Sequence, residues 1–154
     1  MSDLFSYYQG PLADFLSEAR SSKDSLIKTI ISSVSERLVS DLLKMGISVD
    51  TSYSHTLDNN AVNHAIKNHG SKMERLRGQV PIEIEDLLIV PVVVSSYESF
   101  VLETNRRGQD VIIYKKTIGS ETYYYVEEIR RGRKEFAACT MYKRKKESSP
   151  TLIE

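Results

Sequence analysis

A chain of 154 residues, 40% hydrophobic and 27% charged, can hold one domain with a real core but not two comfortable ones. Its one cysteine, Cys139, excludes an intramolecular disulfide and a cysteine metal cage, and it suits a reducing compartment. The formal net charge is zero, but residues 1–63 hold eight acidic and five basic side chains (net −3) and residues 106–146 hold twelve basic and five acidic ones (net +7), a polarity that fits a polyanion or an acidic partner.

In chain order, Met1 to Gly10 shows no basic cluster followed by an apolar run, so no signal peptide is expected. Residues 1–22 read as a peripheral N-terminal segment with a short helix from Pro11 to about Ala19. Ile27, Ile30, Ile31, Val34, Leu38, Leu42 and Met45 recur at spacings of three and four, which predicts a helix from about Asp24, its cap, to Met45, closed by Gly46. A short strand is expected over Ile47 to Thr51. A second helix follows from Ala61 to about His69, capped by Asp58 or Asn59 and ended by Gly70. Ser71 to Gly78 is polar and basic and reads as a loop. Residues 82–94 admit two readings, a strand by their β-branched content or a short helix capped by Asp86, with Pro91 against a central strand. Their core, Leu87 to Val94, is the longest apolar stretch and is far too short to span a membrane.

From Phe100 onward turn signals come close together, predicting an antiparallel meander of strands at Phe100–Glu103, Val111–Thr117, Thr122–Ile129 and Glu135–Lys143, with turns at Gly119-Ser120 and Gly132. Strict alternation in the last strand puts Ala137, Cys139 and Met141 on a face able to receive the long helix, and Phe136, Ala138, Thr140 and Tyr142 on the other. Residues 147–154 read as a flexible tail. The expected class is α+β, with N-terminal helices packed on a C-terminal antiparallel sheet of about four strands.

Chemistry has few carriers. The histidines are His55, His64 and His69. His64 and His69 stand five apart on a helix and cannot both face one ion, so no metal or other cofactor is expected. His69 shares the inward side of its helix with Val62, Ala65 and Ile66, whereas His64 points away and His55 sits in a polar segment. An inward histidine is more often a satisfied core residue than a catalyst. Thr140 and Tyr142 form a T-x-Y pair on one strand face, and one of Lys115 and Lys116 must share it. No phosphate-binding glycine loop, nucleophile elbow or paired-carboxylate motif is present.

Three segments taken together are more specific: N-H-A-I-K-N-H-G at 63–70, R-G-Q-V-P-I-E-I-E-D-L-L-I-V-P-V-V-V at 77–94, and A-C-T-M-Y-K at 138–143. Over about residues 58–145 the chain resembles the barnase–EndoU–colicin–RelE-like nuclease superfamily, in its phage and polymorphic-toxin branches. It departs from their pattern at Ala65, Asn68 and Glu83. The resemblance implies a nuclease domain over 23–146, a short helix at 86–94, and RNA cleavage without a required metal. It carries His64, His69, Thr140, Tyr142 and one of Lys115 and Lys116 over as catalytic residues, with Arg77, Arg106, Arg107, Arg130, Arg131 and Lys143 as candidates for RNA contact.

The leading expectation is a toxin-type, metal-independent ribonuclease that attacks through the RNA's own 2′-hydroxyl. Its partners would be RNA, with tRNA among the candidates, and an acidic immunity protein or inhibitor, with no membrane involved. It would work in the cytoplasm, or in a target cell's cytoplasm after delivery from a producer. The alternative is a non-catalytic module on the same scaffold that binds RNA or an acidic protein through the basic sheet and the tyrosines at 123–125. Two histidines beside T-x-Y separate the two, because a pure binder does not need them.

Overall fold

The computed structural model describes residues 7–22, 26–70 and 78–146. Four helices, α1 (Leu12–Ser21), α2 (Glu36–Leu43), α3 (Asn59–His69) and α4 (Val90–Ser96), and a 3-10 turn over Ile84–Ile89 surround one six-stranded sheet. Its strands are β1 (Lys28–Ser33), β2 (Ser54–Asp58), β3 (Ser99–Thr104), β4 (Asp110–Ile118), β5 (Glu121–Arg130) and β6 (Glu135–Lys145), in the order β1-β2-β6-β5-β4-β3. Only the β2–β6 pair is parallel. The α+β class holds, with six strands rather than about four. No helix among the described residues is long and apolar enough to cross a membrane.

Of the two extra strands, β1 comes from the segment expected to be one long helix, and β2 stands after the short strand expected over Ile47 to Thr51. Thr29, Ile30 and Ile31 are β-branched and stiff, and Ser32 and Ser33 follow them, so 28–33 pairs as β1. Ser35 then starts α2, its Oγ accepting from the Leu38 amide at 3.1 Å. Leu38 and Leu42 are buried as the periodicity required, while Ile30 and Met45 are about half exposed and the long stripe does not exist. The proposed cap, Asp24, lies outside the described residues. Residues 47–50 are irregular, and the strand stands later, at Ser54–Asp58. The segment 84–96 is helical, as the family resemblance implied and against its β propensity.

In the β5–β6 ladder Val126 pairs with Thr140 and Glu127 with Ala138, which leaves Cys139 unpaired in a bulge. The bulge moves the alternation by one. Phe136 and Ala138 therefore face the same side as Met141, opposite Ile129, Glu127 and Tyr125, and that side is the core. Strict alternation had put Phe136 and Ala138 with Thr140 and Tyr142, and Cys139 with Met141; neither holds. The core side is covered by Leu38, Leu42, Val90, Val93, Val94 and Tyr97, so the elements docked there are α2 and α4 in place of a single long helix. Thr140 and Tyr142 are left on the opposite face. α1 packs against α3 through Phe15, Leu16 and Ala19, and α3 runs beside β6.

His55 is buried in the core, not in a polar loop. Its Nδ1 lies 2.9 Å from Glu127 Oε2, and the Tyr114 hydroxyl donates to Glu127 Oε1 at 2.6 Å. A second buried pair, Lys28 Nζ to Glu135 Oε1 at 2.9 Å, ties β1 to the start of β6 across β2.

Candidate active site

α3 delivers His69. Asp58 caps the helix by accepting from the Ala61 amide at 2.8 Å, and Ala61, Val62 and Ala65 bury its inner side. The helix stops at Gly70, where a side chain would not fit: a Cβ there would sit 2.4 Å from the Ile66 carbonyl oxygen and 2.9 Å from that of Ile82. The Ile82 amide donates to the His69 carbonyl at 2.6 Å, and Val80 bridges to Lys143 of β6. The end of α3 is thus pinned between its own last turn and the sheet.

Half-buried there, the His69 ring lies 5.5 Å from the ring of Tyr142, centre to centre. Tyr142 stacks on Tyr124 of β5 at 5.0 Å and 11°, and the Arg144 guanidinium lies 5.5 Å from the Tyr124 ring centre. A row His69–Tyr142–Tyr124–Arg144 therefore crosses the open face. Burial raises the Tyr142 hydroxyl above its ordinary value, against the opposing pull of Arg144, so at neutral pH it stays protonated and able to donate. Thr140 shares this face. Its Oγ1 is buried and has no hydrogen-bond partner among the described residues.

Pairing register assigns the lysines. Lys115 stands opposite Tyr124, which stands opposite Tyr142, so Lys115 belongs to the face of the T-x-Y pair. Lys116 stands opposite Tyr123 and belongs to the core side. His64 is exposed on α3, with the Asn68 amide nitrogen 3.0 Å from its Nδ1, and it does not reach the row. The structure brings His69 into contact with Tyr142, with Thr140 on the same face, while Lys115 lies two strands further across it, on β4.

The expected RNA-contact residues are arranged differently from one another. Arg77 lies outside the described residues. Arg106 is exposed in the β3–β4 turn. Arg107 and Arg130 clamp the buried carboxylate of Glu128 at 2.6 and 2.7 Å, and Arg131 pairs with Asp110 at 2.7 Å. Burial pushes the Glu128 carboxyl up, but the hydrogen bonds and charges of Arg130 and Arg107 outweigh it and hold the group below the usual carboxylate range. Lys143 is on the core side, 6% exposed, between Asp86 at 3.0 Å and Glu121 at 3.1 Å. Much of the sheet's positive charge is thus neutralised from within.

Sequence reasoning named the tyrosines at 123–125 only as a group and gave no place to Glu98, Thr117 and Thr122, which share a cavity with Tyr124. The signal that singles out Tyr124 is the ladder register, which the bulge at Cys139 sets. Among the described residues no three His, Cys, Asp or Glu side chains converge to hold a metal ion.

A family model described as phage-Barnase-EndoU-ColicinE5/D-RelE like nuclease3 matches residues 23–149, a span that takes in every strand and both rings of the His69–Tyr142 contact. No curated protein and no solved structure matches the chain. A match over most of the length makes the chain a member of this nuclease family.

Proposed function

We propose that the protein is a metal-independent endoribonuclease that leaves 2′,3′-cyclic phosphate ends. The observation that carries the reading is the contact of His69 with Tyr142 on an open sheet face, beside a Thr140 hydroxyl that lacks a partner. In the reaction the 2′-oxygen bonds to phosphorus while the bond from phosphorus to the 5′-oxygen breaks. One proton leaves the 2′-hydroxyl for a base, and another reaches the departing 5′-oxygen. An imidazole is the side chain suited to moving a proton near neutral pH, and His69 takes that role. The Tyr142 and Thr140 hydroxyls donate to the phosphorane oxygens as charge builds there, and Lys115, two strands away on the same face, contributes positive field rather than a contact. His64, turned outward, helps to hold the strand of RNA rather than to move a proton.

Within this reading the chain acts as a toxin-type effector, and the net +7 of residues 106–146 suits both RNA and an acidic inhibitor. The stack of Arg144, Tyr124 and Tyr142 gives one specific reason to keep a binding-only reading, since bases stack on such a platform without any chemistry. Incubating the purified chain with total RNA in EDTA separates the two. Cleavage with cyclic-phosphate ends is expected. Intact RNA that is nevertheless bound would favour the binder, and strict dependence on an added divalent ion would end the proposed mechanism.

A further inference from the structure

Beyond the end of the ring row the sheet holds a cavity of about 220 Å³. At roughly 30 Å³ per water it has room for more than a lone ion. Tyr124 forms one wall, so the cavity begins one ring beyond Tyr142, on the side away from His69. Lys115 and Arg144 flank Tyr124, and Lys145 and Lys146 complete the rim. These four differ from Arg107, Arg130, Arg131 and Lys143, because none has an acidic partner within ion-pair distance among the described residues.

The one carboxylate in the cavity is already engaged. Glu98 Oε2 accepts from the Thr117 amide at 2.9 Å, and the Glu98 amide in turn donates to the Lys115 carbonyl at 2.9 Å. Thr117 and Thr122 face each other with their Oγ1 atoms 3.0 Å apart. The Thr117 hydroxyl donates to Glu98 Oε1 at 3.5 Å, so the Thr122 hydroxyl donates to Thr117 and the pair is closed on itself. The backbone at the rim is fixed as well, since the Lys146 amide donates to the Ser120 carbonyl at 2.8 Å. A preformed recess lined by four cations without ion-pair partners and one carboxylate held by Thr117 keeps a net positive charge and suits a phosphate group.

We infer that this cavity is a substrate subsite that holds the phosphate of the nucleotide next to the one cleaved. The inference rests on the RNA-cleaving reading of His69 and Tyr142, and it makes that reading directional. The base of the neighbouring nucleotide stacks on the Tyr124 side of the row, its phosphate enters among Lys115, Arg144 and Lys146, and the scissile bond lies back toward His69. A phosphate at one end of a short substrate should matter, and a phosphate at the other end should not.

The test uses 2′-deoxydinucleotides, which lack the attacking hydroxyl, carrying no terminal phosphate, a 5′-phosphate or a 3′-phosphate. Binding to the full chain is measured by calorimetry, with inorganic phosphate titrated separately. One terminal phosphate, at one end only, should tighten binding at least about tenfold, the scale of a charge-assisted contact. Arg144→Gln should remove most of that gain. Lys146→Gln should reduce it. No gain, an equal gain at both ends, or a gain that survives Arg144→Gln would overturn the subsite. Inorganic phosphate binding as tightly as the phosphorylated dinucleotide would also overturn it, showing a free-anion site. If RNA itself is not cut yet the one-ended gain is present, the cleavage reading fails and the subsite stands.

Discussion

His69 ends a helix, packs on a tyrosine and faces the open side of a sheet, and each of those facts bears on what its removal does. A histidine held only as a core residue would cost several kcal/mol on truncation, as other large buried side chains do. Its contact with Tyr142 is one half-buried ring pair, worth about 0.5–1.5 kcal/mol. His69→Ala should leave the protein folded while slowing RNA cleavage at least about 10²-fold, the scale of a lost acid or base. Urea denaturation and initial rates on the same preparation check this, and a folded variant that cuts at the wild-type rate would remove His69 from the mechanism. The histidine and the T-x-Y pair were legible in the sequence because helix and strand periodicities fix which side they face. The choice between Lys115 and Lys116 was not, because it depends on pairing with β5 and β6, and no local pattern carries register.

Elements were legible where one period dominated. α3, with its Asp58 cap and Gly70 stop, and the strands from 99 onward stand within a few residues of expectation. The segment 27–34 failed because Ile27, Ile30, Ile31 and Val34 fit a helical spacing while their β-branched shapes suit a strand, and pairing with β2 decided it. β2 itself, Ser-His-Thr-Leu-Asp, has no apolar run to announce it; its burial comes from lying between β1 and β6. The bulge was invisible for the same reason. Counted outward from the Gly132 turn, an unbroken hairpin sets Tyr123 opposite Tyr142, and the extra residue at Cys139 replaces it with Tyr124. Gly70 carries the prediction at this scale. Because a Cβ would collide with two carbonyl oxygens, Gly70→Ala should cost about 1–3 kcal/mol through overpacking. It should also reduce activity per folded molecule, since the shift moves His69. Unchanged stability would show that the last turn of α3 can relax and does not fix the histidine.

For the whole molecule, acid stability should depend on the clamp at Glu128. Its folded carboxyl sits below its unfolded value of about 4.3, so the clamp contributes its full stability above that pH. The contribution is lost as pH falls through the lower, folded value. Urea midpoints measured from pH 6 downward should therefore drop on the acid side, and Glu128→Gln should drop less steeply there while being less stable at pH 6. An identical acid slope in both proteins would assign the loss to other carboxylates.

β6 is at once one of the two central strands of the sheet and the last in chain order among the described strands, and it carries both Thr140 and Tyr142. A ribosome that has made residues 1–134 has produced β1 with β2 and β3 with β4 and β5, two pieces of sheet with nothing between them. Half of the reactive row is still missing, and the parallel seam that joins the pieces cannot form. The face that carries Thr140 and Tyr142 is therefore incomplete until β6 slots between the two halves. One strand thus completes both the sheet and the face on which His69 meets Tyr142.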